Sequence, residues 1–137
     1  ELVIDKGMWD GVEKDMVVLS NRCCLVGRVV EVHENSSVVM TLFHPLSKIS
    51  VTVSTTREIG ILEGGTFPFL YVRFLPGDTR ASAGTEMVTS GLSDFYPRGI
   101  RVGTIARIGR MKGDFFLQAW VKPAAGFSSF DEVLIAR

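Results

Sequence analysis

The sequence predicts an all-β protein made of two small barrel or sandwich units whose short strands are mostly antiparallel. Nearly every segment is short, rich in Val, Ile, Thr or Phe, and bounded by Gly, Asp, Asn or Pro, which is typical of strands joined by tight turns. No window keeps apolar residues at helical spacing for three turns. We therefore expect helix only as isolated turns, such as one around Pro45–Ser47, and a sandwich or barrel architecture.

Alternation of apolar and polar residues places the individual strands. It is clearest in Leu70–Phe74, where it predicts Leu70, Val72 and Phe74 on one face. The doublet Gly64-Gly65 predicts the turn of a hairpin just before this strand. The predicted strands are Leu2–Ile4, Met16–Leu19, Leu25–Val32, Val38–Thr41, Ile49–Val53, Ile59–Leu62, Leu70–Phe74, Met87–Thr89, Arg101–Ile108, Phe115–Val121 and Glu132–Ile135.

A weak internal repeat predicts how the strands divide. Val26–Val32 resembles Val102–Ile108, with a glycine at the second position of each, and Val17–Ser20 resembles Met87–Ser90. Two related units explain this similarity, and chance similarity between β-rich segments is the alternative. We expect a first unit over residues 1–60 and a second over 61–137, with a seam near Arg57–Gly65 and terminal strands that can pair across the units.

Composition excludes several classes of function. The chain has 137 residues, 46% of them apolar, and 15 basic residues balance 15 acidic ones. A net charge of zero gives no long-range field to attract nucleic acid. No apolar run approaches the roughly 20 residues that a membrane span requires. These residues are therefore expected to behave as a soluble piece that does not bind nucleic acid.

The cysteines are adjacent, at Cys23 and Cys24. Neighbouring side chains on a strand point to opposite faces, so we expect one thiol to be buried, the other to be exposed, and no disulfide between them.

A chymotrypsin-like hydrolase, in degenerate form, is the enzymatic alternative for a pair of β-barrels. Its triad needs a Ser nucleophile, a His base and an orienting Asp. The candidates would be His33 or His44 with Ser20, Ser90 or Ser93, and none of these serines lies in a Gly-Asp-Ser-Gly context. Ser90 is better explained as a turn residue.

Metal and cofactor motifs are absent from the sequence. Two histidines eleven positions apart and two adjacent cysteines match no structural zinc spacing. No glycine-rich phosphate-binding motif occurs. We expect no catalytic residue, no metal and no cofactor.

Aromatic residues in loops are the candidates for binding a partner. Phe43, Phe67 and Phe69 fall in predicted turns, and the proline between Phe67 and Phe69 stiffens their backbone. A rigid apolar tip loses little entropy on docking. We therefore predict that these three rings bind a partner or another copy of the chain, whereas Tyr96 is expected to pack structurally.

Four stretches, in this order and spacing, resemble the MreC family of rod-shape-determining proteins over essentially the whole chain. The second, Leu25–Val32, continues the strand pattern of the first, and the third is the most specific, with Thr89-Ser90-Gly91-Leu92 before Tyr96-Pro97-Arg98-Gly99-Ile100. The four stretches are Val3–Val12, Leu25–Val32, Thr89–Gly103 and Val121–Ile135. Two positions depart from the family pattern: Asp15 stands where Gly is frequent, and Thr85 follows Gly84 where Asp is usual.

The resemblance implies a non-enzymatic scaffold of the bacterial cell-wall elongation machinery. It implies a parent protein anchored in the cytoplasmic membrane whose β region lies on the extracytoplasmic, periplasmic side. The partners it implies are a penicillin-binding transpeptidase, which the scaffold would bind and activate, and MreD, RodA and the MreB system. Self-association into an oligomer or filament is also expected.

Overall fold

Two antiparallel β-sheets form the fold, which confirms the predicted all-β class. A computed structural model describes residues 1–110, 115–127 and 133–136. Five strands form a curled sheet in the order β1-β4-β3-β2-β11, and six form a closed barrel in the order β10-β7-β6-β5-β8-β9. The curled sheet contains β1 (Leu2–Ile4), β2 (Val17–Ser20), β3 (Leu25–Val32), β4 (Ser37–Thr41) and β11 (Val133–Ala136). The barrel contains β5 (Lys48–Val53), β6 (Ile59–Gly64), β7 (Leu70–Leu75), β8 (Glu86–Thr89), β9 (Arg101–Arg110) and β10 (Leu117–Pro123).

Alternating burial along the strands follows the alternating sequence pattern. In β5, Ile49, Val51 and Val53 point into the barrel and are fully buried, while the residues between them are more exposed. Closing the sheet removes its edges, so the inward side chains of all six strands share one core. That core continues into the curled sheet through Val17 and Leu25. The two sheets therefore share apolar packing.

Sheet membership does not coincide with the predicted division of the chain at residue 60. β5 and β6 both belong to the barrel, and the chain passes between the sheets in the connection 42–47. β11 returns to pair with β2, from Val133 opposite Ser20 to Ala136 opposite Val17. The division into units 1–60 and 61–137 itself stays a prediction, and the predicted start of the last strand, Glu132, lies outside the described residues.

The face predicted for Phe74 is wrong. Leu70 and Val72 point into the barrel as expected, but Phe74 is 51% exposed and Leu75 is fully buried. Phe74 has φ 69°, a left-handed conformation, and the register of β7 with β10 shifts between Leu117 and Ala119. This bulge inserts one extra residue, so it turns the Phe74 ring outward and gives its inward place to Leu75.

The glycines of the internal repeat occupy matching places in the two sheets. Gly27 lies opposite Val18 and Gly103 lies opposite Met87. A Cβ on Gly27 would lie 2.1 Å from a backbone oxygen of the neighbouring strand, and one on Gly103 would lie 2.3 Å from one. Both positions therefore need glycine because another strand passes too closely for a side chain.

Among the described residues, the helical structure is one 3-10 turn, Met8–Asp10, which ends at Gly11 with φ 85°. Pro45–Ser47 forms a turn without a helix. The prediction that helix is limited to isolated turns is thus correct in kind, but the helical turn lies elsewhere.

The strand registers define two ends of the barrel. The near end carries the connections 42–47, 65–69 and 90–100, and the far end carries 54–58, 76–85 and residues 115–116. The near end faces the curled sheet: the N–H of Leu42 donates to the carbonyl of Val26 at 3.1 Å, and Cys24 forms a β-bridge with Arg101. Loops at the near end therefore lie at the junction of the two sheets.

Candidate interaction surface

An open cleft lies where the first strand of the curled sheet meets the near end of the barrel. Its volume is about 440 Å³. Its one charged lining residue among those described is Glu1. The lining residues are Glu1, Leu2, Thr41, Phe43, Gly65, Phe67 and Phe127, and this set is called the phenylalanine cleft below.

Three rings form the apolar part of the phenylalanine cleft. Phe43 lies at the centre, with its centroid 5.4 Å from that of Phe67 and 5.0 Å from that of Phe127. The Phe43–Phe127 pair is edge-to-face at 82°, an arrangement that the ring quadrupoles favour. Phe43 is half-buried against the core, whereas Phe67 is 56% exposed. The ring cluster thus packs against the core at Phe43 and is exposed to solvent at Phe67.

The backbone of the Phe43 segment is fixed by close packing against β6. A Cβ on Gly64 would lie 2.5 Å from the carbonyl oxygen of Phe43, so only glycine allows this approach. On the other side of the cleft, the N–H of Phe69 donates to the carbonyl of Thr66 at 3.1 Å. Both ring-bearing loops therefore have backbone contacts that hold them in place.

The structure brings two of the three predicted partner-binding residues together. Phe43 and Phe67 lie in ring contact, while Phe69 is half-buried at the end of the same loop and does not line the cleft. Phe127 completes the cluster although sequence reasoning did not select it. Its only signal was an aromatic ring after Gly126 in a loop, and its proximity to Phe43 arises from strand pairing far away in sequence. Partner binding by Phe43, Phe67 and Phe69 stays a prediction.

The loop that joins β8 and β9 also carries aromatic residues to the junction. Tyr96 is 5% exposed and belongs to the barrel core, which confirms its predicted structural packing. Burial raises the pKa of its phenol to about 12, against an opposing effect of the Arg28 charge. The neighbouring Phe95 stays at the surface, where the guanidinium of Arg28 stacks 4.3 Å from its ring centroid.

A second exposed aromatic group lies at the far end of the barrel. Phe74 and Phe116 pack edge-to-face with centroids 5.8 Å apart, and Phe115 beside them is 88% exposed. Sequence alternation assigned Phe74 to the core and placed Phe115 in a strand that in fact begins at Leu117. This group therefore could not be found without the bulge in β7.

The groups of the hydrolase alternative have other partners in the structure. The Oγ of Ser93 accepts from the N–H of Ser50 at 2.8 Å, and the hydroxyl of Ser90 donates to the Oγ of Ser50 at 2.7 Å. His33 pairs with Glu31 at 2.7 Å on the surface. The remaining candidates bond locally: the Oγ of Ser20 accepts from the N–H of Cys24, and Nδ1 of His44 accepts from the N–H of Leu46.

Within the ranges that the structure describes, no group of three or more His, Cys, Asp or Glu side chains is arranged to hold a metal ion. Cys24 is buried and Cys23 exposed, both as free thiols, as predicted. The cysteines were expected to point to opposite faces of a strand, but the pair lies in the turn between β2 and β3, where Cys23 has φ 62°. No helix in residues 1–110, 115–127 and 133–136 is long and apolar enough to cross a membrane.

This architecture matches a known family along its whole length. The family model for the rod shape-determining protein MreC, barrel core, matches residues 1–137. The chain belongs to the MreC family. The cell shape-determining MreC of Listeria monocytogenes is 30% identical over 142 residues, which cover 100% of this chain and 48% of that protein. The chain thus spans about half the length of this curated relative.

Solved MreC structures share the fold. Crystalline MreC from Pseudomonas aeruginosa has a TM-score of 0.91 at 29% identity, covering 98% of this chain and 87% of that one. A major periplasmic domain of the cell shape-determining filament MreC has a TM-score of 0.74 at 29% identity, over 90% and 77% of the two chains. A Helicobacter pylori complex between the penicillin-binding protein PBP2 and MreC has a TM-score of 0.73 at 20% identity, over 90% and 79%, which is a likeness of fold alone.

Proposed function

We propose that this MreC chain is a non-enzymatic scaffold of cell-wall elongation that binds a penicillin-binding transpeptidase through the phenylalanine cleft. The observation that carries the proposal is the cleft itself, an apolar site in which Phe67 is exposed while Phe43 anchors it to the core. Interface centres favour aromatic residues that sit in well-packed surroundings. Burying the exposed Phe67 ring against a partner removes apolar surface from water, which favours binding.

The comparisons support the class of partner and the place of action. A protein of the same fold occurs in a complex between PBP2 and MreC from Helicobacter pylori, and a related domain is described as periplasmic. We infer a transpeptidase of this class as the partner here, and the extracytoplasmic side of the cytoplasmic membrane as the location. MreD, RodA and the MreB system are further partners that we propose for the parent protein.

The proposed mechanism is allosteric activation. A scaffold that carries no reacting group can raise the activity of a transpeptidase only by binding its active conformation more tightly than its inactive one. The difference in affinity is then the coupling free energy, and an activated enzyme must bind the scaffold more tightly by the same factor.

Binding of the purified transpeptidase ectodomain from the same organism tests the proposal. We expect Phe67→Ala to weaken the complex by about 30-fold, which corresponds to roughly 2 kcal/mol for an interface anchor, with little loss of thermal stability because the ring is largely exposed. Phe115→Ala is the matched control, since this ring is 88% exposed at the opposite end of the barrel. Equal affinities of the wild type and Phe67→Ala, or an equal loss in both variants, would contradict the assignment.

Self-association is a second proposed activity, favoured by the open edges of the curled sheet. Among the strands that the structure describes, β1 and β11 each pair on one side only, and an unpaired edge offers backbone groups to another strand. A net charge of zero adds no repulsion between copies. Sedimentation equilibrium over a range of concentrations measures this activity; a monomer at every concentration contradicts it.

A further inference from the structure

The side chain of Arg28 contacts both the curled sheet and the barrel. Its Nη1 donates to Oδ1 of Asp15 at 2.7 Å within the curled-sheet side. Its guanidinium lies 4.3 Å from the ring centroid of Phe95 in the loop 90–100 of the barrel, and its charge opposes the rise in the pKa of the neighbouring Tyr96 phenol. One half-buried charge on β3 therefore holds a loop that belongs to the other sheet.

The loop 90–100 is itself rigidly attached to the barrel. The hydroxyl of Thr89 donates to the carbonyl of Pro97 at 2.5 Å, and its Oγ1 accepts from the N–H of Ile100 at 2.8 Å. Gly91 and Gly99 take φ 83° and 91° at the two ends of the loop, a conformation that glycine adopts without strain. A displacement of this loop relative to Arg28 is thus a displacement of the barrel relative to the curled sheet.

Open space flanks the loop on both sides. A cleft of about 250 Å³ separates it from the connection between β4 and β5, and one of about 410 Å³ separates it from the start of β2. Apolar side chains do not fill these two clefts. The apolar packing of the shared core beneath them has no preferred direction, so it does not by itself fix the orientation of the loop. The stacked and hydrogen-bonded guanidinium supplies a defined geometry at this point.

The phenylalanine cleft spans the same junction. Leu2 and Thr41 belong to the curled sheet, whereas Gly65 and Phe67 belong to the barrel, and all four line the cleft. Its width is therefore a function of the angle between the sheets. Arg28 does not line the cleft, so any effect it has there acts through that angle.

We propose that Arg28 is a positioning residue that sets the width of the phenylalanine cleft by fixing the loop 90–100 against β3. The consequence for partner binding rests on the proposed function of the cleft, whereas the geometric role does not depend on it. In this view Arg28 holds the cleft ready for its partner, and binding avoids the free-energy cost of orienting the two sheets.

Pulsed electron paramagnetic resonance between spin labels at Val3→Cys and Thr66→Cys measures the width directly. These two positions are exposed and lie on opposite sides of the cleft. Cys23→Ser removes the exposed native thiol, and Cys24 is buried. We expect one narrow distance distribution for the parent and a broader, shifted one for Arg28→Met, which keeps an aliphatic stem but loses the charge.

Arg107→Met is the matched control, because Arg107 also stacks on a ring, 4.0 Å from the centroid of Trp120, but only within the barrel. Its distance distribution should equal that of the parent. Phe95→Leu, which removes the ring that the guanidinium stacks on, gives a second variant if Arg28→Met does not fold. An unchanged distribution in a folded Arg28 or Phe95 variant overturns the proposal, as does an equal change in Arg107→Met.

Affinity for the transpeptidase ectodomain then separates the two proposals. A coupling of ordinary size predicts binding about 5- to 20-fold weaker for Arg28→Met and unchanged for Arg107→Met. A changed distance with unchanged affinity shows that the width set by Arg28 does not matter to the partner, which overturns the functional half of the inference. If the parent does not bind at all, the proposed function fails, and the distances still decide the geometric role.

Discussion

Several residues other than glycine adopt a left-handed backbone conformation that usually requires glycine. Asp15, Cys23, Arg57 and Phe74 all have positive φ, which is rare for residues other than glycine. The family resemblance leads us to expect Gly at position 15, and the φ of 72° found for Asp15 explains why glycine would suit that position. Here the carboxylate pairs with Arg28, so the side chain has a use that glycine could not supply.

The buried phenol of Tyr96 leads us to expect a loss of folding stability at alkaline pH. Burial raises the pKa of its phenol from 10.0 to about 12, so the folded state retains its proton after the unfolded state has lost it. The stabilisation is fully present below pH 10 and is lost as pH rises to about 12, a decrease of roughly 3 kcal/mol in the free energy of unfolding. Chemical denaturation between pH 9 and about 12 measures it.

Tyr96→Phe should remove the contribution of this phenol to the pH dependence of the free energy of unfolding and leave the contributions of other groups in place. Tyr71→Phe is the control, since Tyr71 lies half-buried on the outer wall against Trp120. If the wild type and Tyr96→Phe lose stability in parallel above pH 10, the phenol is not protected as described.

The sequence predicts well which strands form and where they lie along the chain. It predicts less well which face of a strand each side chain occupies. Every predicted strand corresponds to an observed one, because alternation and turn residues are local signals. The direction of Phe74 depends on how β7 pairs with β10, a partner more than 40 positions away. A bulge arises from that pairing and leaves no local mark in the sequence.

The bulge in β7 predicts an unusual order of mutational effects. Leu75→Ala should cost about 2–5 kcal/mol because it leaves a cavity in the barrel core. Phe74→Gly should change stability by less than about 1 kcal/mol, since relief of the left-handed backbone offsets the lost contact with Phe116. Urea denaturation of both variants measures the difference. A larger loss for Phe74→Gly would mean that Phe74 occupies the core, as alternation alone suggested.

For the whole molecule, the two-sheet architecture follows from the pattern of strands, but the assignment of strands to sheets does not. The internal repeat correctly relates Gly27 to Gly103, yet it gives no signal that β11 returns to β2 or that Phe127 reaches Phe43. These contacts join segments distant in the chain, so they depend on overall packing. The candidate site was therefore only partly predictable: the sequence indicated that phenylalanines in loops would form it, but not which of them come together.

The shared core predicts that the two sheets unfold together. Val17, Leu25 and Leu42 pack in the same cluster as the barrel residues, while a second cluster packs on the other face of the curled sheet. Separating the sheets would therefore expose the shared cluster, which couples their unfolding. In a Trp9→Phe, Cys23→Ser variant, Trp120 fluorescence reports the barrel, and alkylation of the buried Cys24 thiol reports the curled sheet. We expect the same denaturant midpoint for both signals. A thiol that becomes reactive at clearly lower denaturant than the fluorescence change would reveal separate units.

The return of the last strand to the first sheet also determines how the molecule carries tension. β1 and β11 are the two edges of one sheet, and all six barrel strands lie between β4 and β11 along the chain. A stretching force applied at residues 2 and 136 therefore acts first on the hydrogen bonds that join β1 to β4 and β11 to β2. Force reaches the barrel along the chain only after one of these edge strands has detached, so we expect the curled sheet to open before the barrel does.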